Sequence, residues 1–370
     1  MIHRYQKKGL NFVLDVNSGA VHLLDDISYA VSGLLDENMG DTCPQSIIDA
    51  LPDYTADEIR EAYDELYELK KAGQLFAQDD YIDVSRYIPV NAPVKALCLH
   101  VAHDCNLRCK YCFASTGDFG QGRKIMPPEI AKKAIDFVIA RSGVRHNIEV
   151  DFFGGEPLMA WDTVTQTVDY ARSLEEKYNK KFRFTITTNG LLLDEDKRKY
   201  INENMDNCVL SLDGRREVND EFRKTVAGTG SYDTIVPKFK ALVDERDPNL
   251  DYYARGTFTS HNLDFAEDVL SIADAGFDRL SVEPVTADPG CGYDLTEDDL
   301  PKIEAEYDRL TDIMLERKKE GKPFTFFHFM VDLDQGPCVV KRLRGCGAGY
   351  EYVAVTRTAH LSLPPVVGHG

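Results

Sequence analysis

Cys105-Asn106-Leu107-Arg108-Cys109-Lys110-Tyr111-Cys112 follows the apolar run Ala96-Leu97-Cys98-Leu99-His100-Val101, and these residues decide the fold. Three thiols stand at the spacing C-x3-C-x2-C directly after a strand-like stretch. With nine cysteines in 370 residues, three at such fixed offsets arise by chance with a probability of about 0.005 over the chain. A closed structural zinc site takes four ligands, whereas three thiolates from one loop leave a coordination position open. A cuboidal iron–sulfur cluster held by three cysteines keeps one iron free for another ligand. The spacing and the open position favour iron–sulfur, with zinc and unliganded thiols as the alternatives.

Working outward, short β-branched and aromatic runs recur at 148–153, 182–188, 208–212, 252–258 and 279–282, which with 96–101 makes six strands. Helical periodicity fills the gaps at 129–141, 163–178, 235–244, 263–275 and 300–319. Residues 95–330 therefore read as repeated βα units, an α/β domain with a parallel six-strand sheet forming an open or closed barrel. Chemistry in such sheets sits where strands end. Four motifs fall there: Gly154-Gly155-Glu156-Pro157, Thr187-Thr188-Asn189-Gly190, Ser211-Leu212-Asp213-Gly214 with Arg223 twelve residues beyond Ser211, and Glu283-Pro284. From residue chemistry alone the first is also an ordinary turn, Arg223 also a solvated charge and Tyr111 also packing. Thr187 to Gly190 read as a turn at the pocket wall, and Glu283 stays unassigned.

Before the barrel, alternation at 12–16 and 20–24 across Asn17-Ser18-Gly19 predicts a hairpin, and Thr55 with Glu58 opens a helix by a capping box. Residues 1–76 form a small winged-helix-like unit, and 77–94, with three aspartates and two prolines, a linker. Composition narrows the partners. Lys plus Arg number 43 against 62 Asp plus Glu, a formal charge of −19, which repels phosphate backbones and anionic membranes. No run approaches the roughly 18 apolar residues of a membrane helix, and no basic-then-apolar signal opens the chain. Neither nucleic acid nor membrane is an expected partner, the expected location is cytoplasmic, and an odd cysteine count in a reducing compartment points to metal rather than disulfides.

The three-cysteine loop after the first barrel strand resembles the radical S-adenosylmethionine (radical SAM) superfamily, and Gly154-Gly155-Glu156-Pro157 resembles its GGEP motif. That resemblance implies a partial (β/α)6 barrel, a 4Fe-4S cluster on Cys105, Cys109 and Cys112, and SAM bound to its unique iron and cleaved to a 5′-deoxyadenosyl radical. It further implies that Gly154, Gly155 and Glu156 receive the SAM ammonium, that Ser211 and Arg223 hold its ribose and carboxylate, and that Tyr111 lies beside adenine. Residues 1–76 resemble the RiPP recognition element, which binds a precursor leader by strand addition. Gly336-Pro337-Cys338 and Gly345-Cys346-Gly347-Ala348-Gly349-Tyr350 resemble the start of a SPASM extension holding auxiliary 4Fe-4S clusters. Taken together the chain looks most like the SCIFF-peptide maturases, implying thioether formation in a Cys-rich precursor peptide with electrons from a ferredoxin or flavodoxin. An anaerobic sulfatase maturase and a non-catalytic peptide-binding protein are the alternatives. The resemblance stops after Thr356: residues 357–365 contain no cysteine, so 331–370 read as a truncated SPASM-like region with at most Cys338 and Cys346 for an incomplete auxiliary cluster. For one choice of codons, a one-base shift at 360–365 restores a family-like continuation. The last stretch is expected to be loose.

Overall fold

The computed structural model describes residues 1–79, 92–333 and 347–356, together with the backbone of 361–362. They form two compact units. The first contains the antiparallel strands β1 (Ile2–Lys7), β2 (Leu10–Asp15) and β3 (Val21–Leu24) in the order β1-β2-β3. The expected hairpin is β2–β3, with Leu14 opposite Val21. Buried Asp15 holds its turn, one carboxylate oxygen accepting from the amides of Asn17 and Ser18 at 3.1 and 2.8 Å. Helices α1 (Asp26–Ser32), α2 (Gln45–Ala50) and α3 (Ala56–Lys71) follow. The Thr55/Glu58 capping box starts α3, and Ile59, Ala62, Tyr63 and Leu66 face the core with Val13, Val31 and Ile47. Strand β1 escaped the sequence reading because its residues, Ile-His-Arg-Tyr-Gln-Lys, are mostly polar and exposed.

The second unit is an open, mainly parallel sheet. Its strands are β4 (Ala96–His103), β7 (Asn147–Gly154), β8 (Lys181–Thr188), β9 (Asn207–Ser211), β11 (Asp251–Phe258), β12 (Arg279–Pro284), β13 (Thr325–Phe326), β14 (Tyr352–Val355) and β15 (Leu361–Ser362). The order is β13-β12-β11-β9-β8-β7-β4-β14-β15, with the short β6 (Lys124–Ile125) beside β4. Among the described residues the two ends of this order do not pair, so the sheet is an open, partial barrel. All six strands read from the sequence are present, and so are the helices, now α4 (Pro128–Arg141), α5 (Trp161–Tyr178), α8 (Tyr232–Asp244), α9 (Phe265–Asp274) and α10 (Leu300–Lys319). Two were missed: α6 (Glu195–Asn204), capped by Asp194 but burying only Ile201, and the seven-residue α7 (Arg216–Phe222). Both lack the apolar stripe that reveals a helix in sequence.

Alternation along each strand sorts the two faces. On β11, Tyr252, Ala254, Gly256 and Phe258 are buried outward under the helices, while Tyr253, Arg255 and Thr257 are half-buried on the inner face. A register shift at Val101, opposite Phe153 and Gly154, bends the end of β4, as bulges beside active sites do.

Within the stretch expected to be loose, strand β14 is ordered and packed. Tyr352 to Val355 pair in parallel with Ala96 to Leu99, and Val353, Ala354 and Val355 are buried. The reason is a β-branched alternation finding the free edge of β4, reinforced by Lys95–Glu351 at 3.1 Å and by Tyr352 Oη donating to Asp151 at 2.8 Å. Among the described residues no helix is long and apolar enough to cross a membrane.

Burial pushes the Asp151 carboxyl up to about 6, against the hydrogen bonds of Tyr352 and Thr185. The folded chain thus holds a proton that the unfolded chain releases near pH 4, so stability falls as pH rises through 4 to 6 and stays lowered above it. Asp151→Asn should remove that penalty, stabilising this unit at pH 8 by about 3 kcal/mol and flattening its profile below pH 6. Thermal denaturation at pH 5 and pH 8 checks this.

Candidate functional site

The loop after β4 is locked from both sides. Within it β5 (Leu107–Cys109) pairs antiparallel with β10 (Arg223–Thr225), which sets Arg223 directly opposite Cys109. From the other side the end of β7 lies against the loop: Gly155 N donates to Ala102 O at 2.7 Å and Glu156 N to Asp104 O at 2.9 Å. A Cβ on Gly154 would strike the Ala102 carbonyl, and one on Gly155 the Asp104 carbonyl. Gly154 also has φ +128°, a region that only glycine occupies without strain. Their first duty is thus to let two loops touch. Beyond Cys112 the backbone is strained, with Ser115, Thr116 and Phe119 all at φ between 50° and 58°.

These elements enclose a cavity of about 140 Å³. Cys105, Cys109, Cys112, Glu156, Ser211 and Arg223 line it, as do Tyr111, Gly154 and Gly155. Every barrel residue that the sequence reading gave to cluster or SAM is therefore at one place. Cys338 and Cys346 lie outside the described residues. Burial pushes the Cys105 thiol up to about 12, helped by the negative charge of Glu156, and the Cys109 thiol up to about 11 against the opposing charge of Arg223. Among the described residues no three His, Cys, Asp or Glu side chains converge as ligands of a single ion would.

Glu156 is fully buried. Its carboxylate accepts from Leu158 N at 3.0 Å, Thr188 Oγ1 at 2.8 Å and Asn189 N at 2.7 Å, tying β7 to the end of β8. Burial raises its pKa, and these bonds, with Arg223, oppose the rise. Arg223 is also buried. Its Nη1 donates to Tyr111 Oη at 2.8 Å, Tyr111 donates in turn to Asp213 at 2.6 Å, and Arg223 stands 3.7 Å from the same carboxylate. Burial pushes Asp213 up to about 6, while Arg223 and Tyr111 hold it from rising further. Arg223 Nε is buried and has no hydrogen-bond partner among the described residues.

Sequence reasoning left two members of this site without a role, although it set Asn189 in a turn at the pocket wall, where the structure has it. Asp213 was quoted without a role, and only the fold places it beneath Arg223 and Tyr111. Asn189 read as half of an Asn-Gly turn, yet its Nδ2 donates to Asn106 Oδ1 at 2.8 Å and lies 3.5 Å from Cys105 Sγ. A polar residue at a strand end was the available signal, and turn chemistry masked it.

The fold and pocket define a parallel α/β domain whose three-cysteine loop closes on a cavity at the strand ends. Residues 99–251 match the family model of the Radical SAM superfamily. The Radical SAM cyclopropyl synthase TigE of Paramaledivibacter caminithermalis is 29% identical over 197 residues, 49% of this chain and 40% of that protein. The cysteine-type anaerobic sulfatase-maturating enzyme of Clostridium novyi is 29% identical over 147 residues, 38% of this chain and 37% of that protein. The chain thus spans less than half the length of either relative. Native anSMEcpe with bound AdoMet and Cp18Cys peptide superposes with a TM-score of 0.60 at 20% identity, covering 74% of each chain. Streptococcus suis SuiB bound to precursor peptide SuiA gives 0.53 at 15% identity, covering 99% of this chain and 82% of that one. At these identities the superpositions establish a shared fold.

Gly154→Ala should force both the strained φ and the Ala102 contact, costing about 2–4 kcal/mol. A lowered melting temperature together with loss of iron uptake on reconstitution is the expected result.

Proposed function

We propose that this chain is a peptide-modifying radical SAM enzyme that installs sulfur-to-carbon thioether links in a Cys-rich precursor peptide. The observation that carries the reading is the convergence of the three-cysteine loop, the Gly-Gly-Glu-Pro turn and Arg223 on one pocket. The residues fit the implied cofactors. Three thiols without a common ion geometry suit a cluster in which each cysteine takes its own iron. The orphaned Arg223 Nε has a donor to spare for a carboxylate.

In this reading Cys105, Cys109 and Cys112 hold a 4Fe-4S cluster, and Tyr111, Gly154, Gly155, Glu156, Ser211 and Arg223 surround SAM. Bound there, cluster and SAM supply a 5′-deoxyadenosyl radical on receiving an electron from a low-potential donor such as ferredoxin or flavodoxin. The chain's own work is placement. The buried thiols release their protons to bind iron. Asp213 and Tyr111 fix the Arg223 guanidinium, and the Arg223–Cys109 register ties that cation to a cluster ligand. Glu156 keeps the ends of β7 and β8 together, while Phe113 and Phe153, stacked with centroids 6.3 Å apart, form an apolar part of the wall.

The first unit supports a peptide substrate. Strand β3 is an open sheet edge, and Leu10 and Leu23 beside it are exposed, as an added leader strand requires. SuiB, whose fold this chain shares along nearly its whole length, is bound to a precursor peptide. A second reading, formylglycine formation in a sulfatase, is favoured by the similarity to the Clostridium novyi maturase. An auxiliary cluster on Cys338 and Cys346 belongs to the first reading.

Anaerobic reconstitution should give about four irons per chain from the barrel site and reductant-dependent 5′-deoxyadenosine. Replacing Cys105, Cys109 and Cys112 together with Ala should abolish both; retained cleavage would refute the cluster assignment. Mass spectrometry of a Cys-rich precursor after turnover should show a loss of two hydrogens per thioether, and formylglycine in a sulfatase peptide would favour the second reading. Leu23→Asp should weaken leader binding about tenfold in a fluorescence titration, since the exposed side chain supports nothing in the fold, and should leave SAM cleavage without peptide unchanged.

A further inference from the structure

A second group of charged side chains occupies the inner face of the sheet, beyond the pocket. Arg255 on β11 is the register partner of Ser211 on β9 and of Ser281 on β12. Paired residues on neighbouring strands point to the same face, about 4.8 Å apart. Arg255 therefore stands one strand past the pocket wall, on the side where a reactant would lie. Its Nη2 is buried and has no hydrogen-bond partner among the described residues. The ion pair it forms with Glu283 spans 3.9 Å, too long for a hydrogen bond.

Glu283 is committed elsewhere. One oxygen accepts from Ser281 Oγ and the other from His328 Nε2 at 2.9 Å, and His328 Nδ1 accepts from Tyr307 Oη at 2.8 Å. One neutral tautomer of His328 satisfies both of its bonds. Burial pushes Glu283 up, but the bonds from His328 and Ser281 and the charge of Arg255 outweigh it and hold the carboxyl at about 2. The carboxylate is thus a fixed anion that holds the guanidinium in place by charge without occupying its donors. Burial in turn lowers the pKa of Arg255, with Glu283 opposing. A largely buried guanidinium with an idle Nη2 donor lacks a planar acceptor such as a carboxylate.

We propose that Arg255 is a carboxylate-binding subsite, taking an acidic side chain or the terminal carboxylate of the substrate at the wall beside the pocket. One negative charge suits it better than two, because Glu283 already stands against the same cation. The proposal rests on the cofactor reading of the pocket only in making this carboxylate part of the substrate.

The test treats the full chain with phenylglyoxal, which modifies guanidinium groups, and reads Arg255 by peptide mapping, with exposed Arg216 as the internal control. The probes are N-acetyl-Ala-Asp-Ala-amide, N-acetyl-Ala-Glu-Ala-amide, N-acetyl-Ala-Ala-Ala with a free carboxylate, and its neutral amide. At about 10 mM, near the affinity of one such contact, at least one carboxylate peptide should slow Arg255 modification threefold or more, and the neutral amide should not. The protecting peptide tells an acidic side chain from a chain terminus. Equal modification with all four probes would overturn the proposal, and protection by SAM but by no peptide would assign Arg255 to the cofactor instead. Saturation-transfer NMR supplies a second reading: Arg255→Gln, with an unchanged melting temperature, should lose transfer to the protecting peptide, and retained transfer would overturn the subsite. Iron content and 5′-deoxyadenosine from the same preparation score the cofactor reading separately.

Discussion

The close approach of residues 154–156 to residues 102–104 is the contact on which the site depends. Two main-chain hydrogen bonds join them, and the two glycines leave the room those bonds require. Because Glu156 belongs to the same turn, its carboxylate carries the constraint on to Thr188 and Asn189 at the end of β8. Asn189 then returns to Asn106 and Cys105. The ends of three strands and the cysteine loop are thereby one rigid body of hydrogen bonds. On the opposite side, the β5–β10 pairing holds Cys109 against Arg223.

Charge is concentrated inside this body at some cost. A buried carboxylate or guanidinium loses its hydration, and the loss is offset only when partners meet it in good geometry. Glu156 has three such partners. Asp213 and Arg223 share Tyr111 between them. What the arrangement secures is orientation: a guanidinium held at one edge by Tyr111 keeps its free edge at a fixed angle. The unsatisfied Nε is the sign that the set is built for something beyond the protein's own atoms.

The inner and outer faces of the sheet divide the remaining work. Outward residues of every long strand are apolar and packed under helices, forming one continuous core. Inward positions carry polar side chains on β9, β11 and β12 at Ser211, Arg255, Ser281 and Glu283. An open sheet leaves that polar face accessible along its length, whereas a small closed barrel would fill it with side chains. The first unit has its own core around Ile59, Tyr63 and Leu66, and strand β3 is an edge of its sheet.

The sequence by itself determined the parts whose causes are local. Strand and helix positions followed from apolar periodicity, the hairpin from Asn17-Ser18-Gly19, the start of α3 from Thr55 and Glu58, and the cysteine loop from its spacing. The Gly-Gly-Glu-Pro turn was legible because strand ends are where such chemistry gathers, whereas the roles of Ser211 and Arg223 came from the resemblance to radical SAM enzymes. What only the tertiary structure decided is where one local piece answers another. Asp213 gained its role when Arg223 folded back over it, and Asn189 when its strand end met Asn106. Tyr352 was assigned to a loose tail until the free edge of β4 gave it a partner in Asp151. Arg255, unremarkable in a run of alternating residues, became significant once Glu283 was found bonded to Ser281 and His328. The physical reason is common to all four: periodicity and turn preference act over a few residues, while the partner of a buried polar group is chosen by chain topology, across separations of 28 to 201 residues.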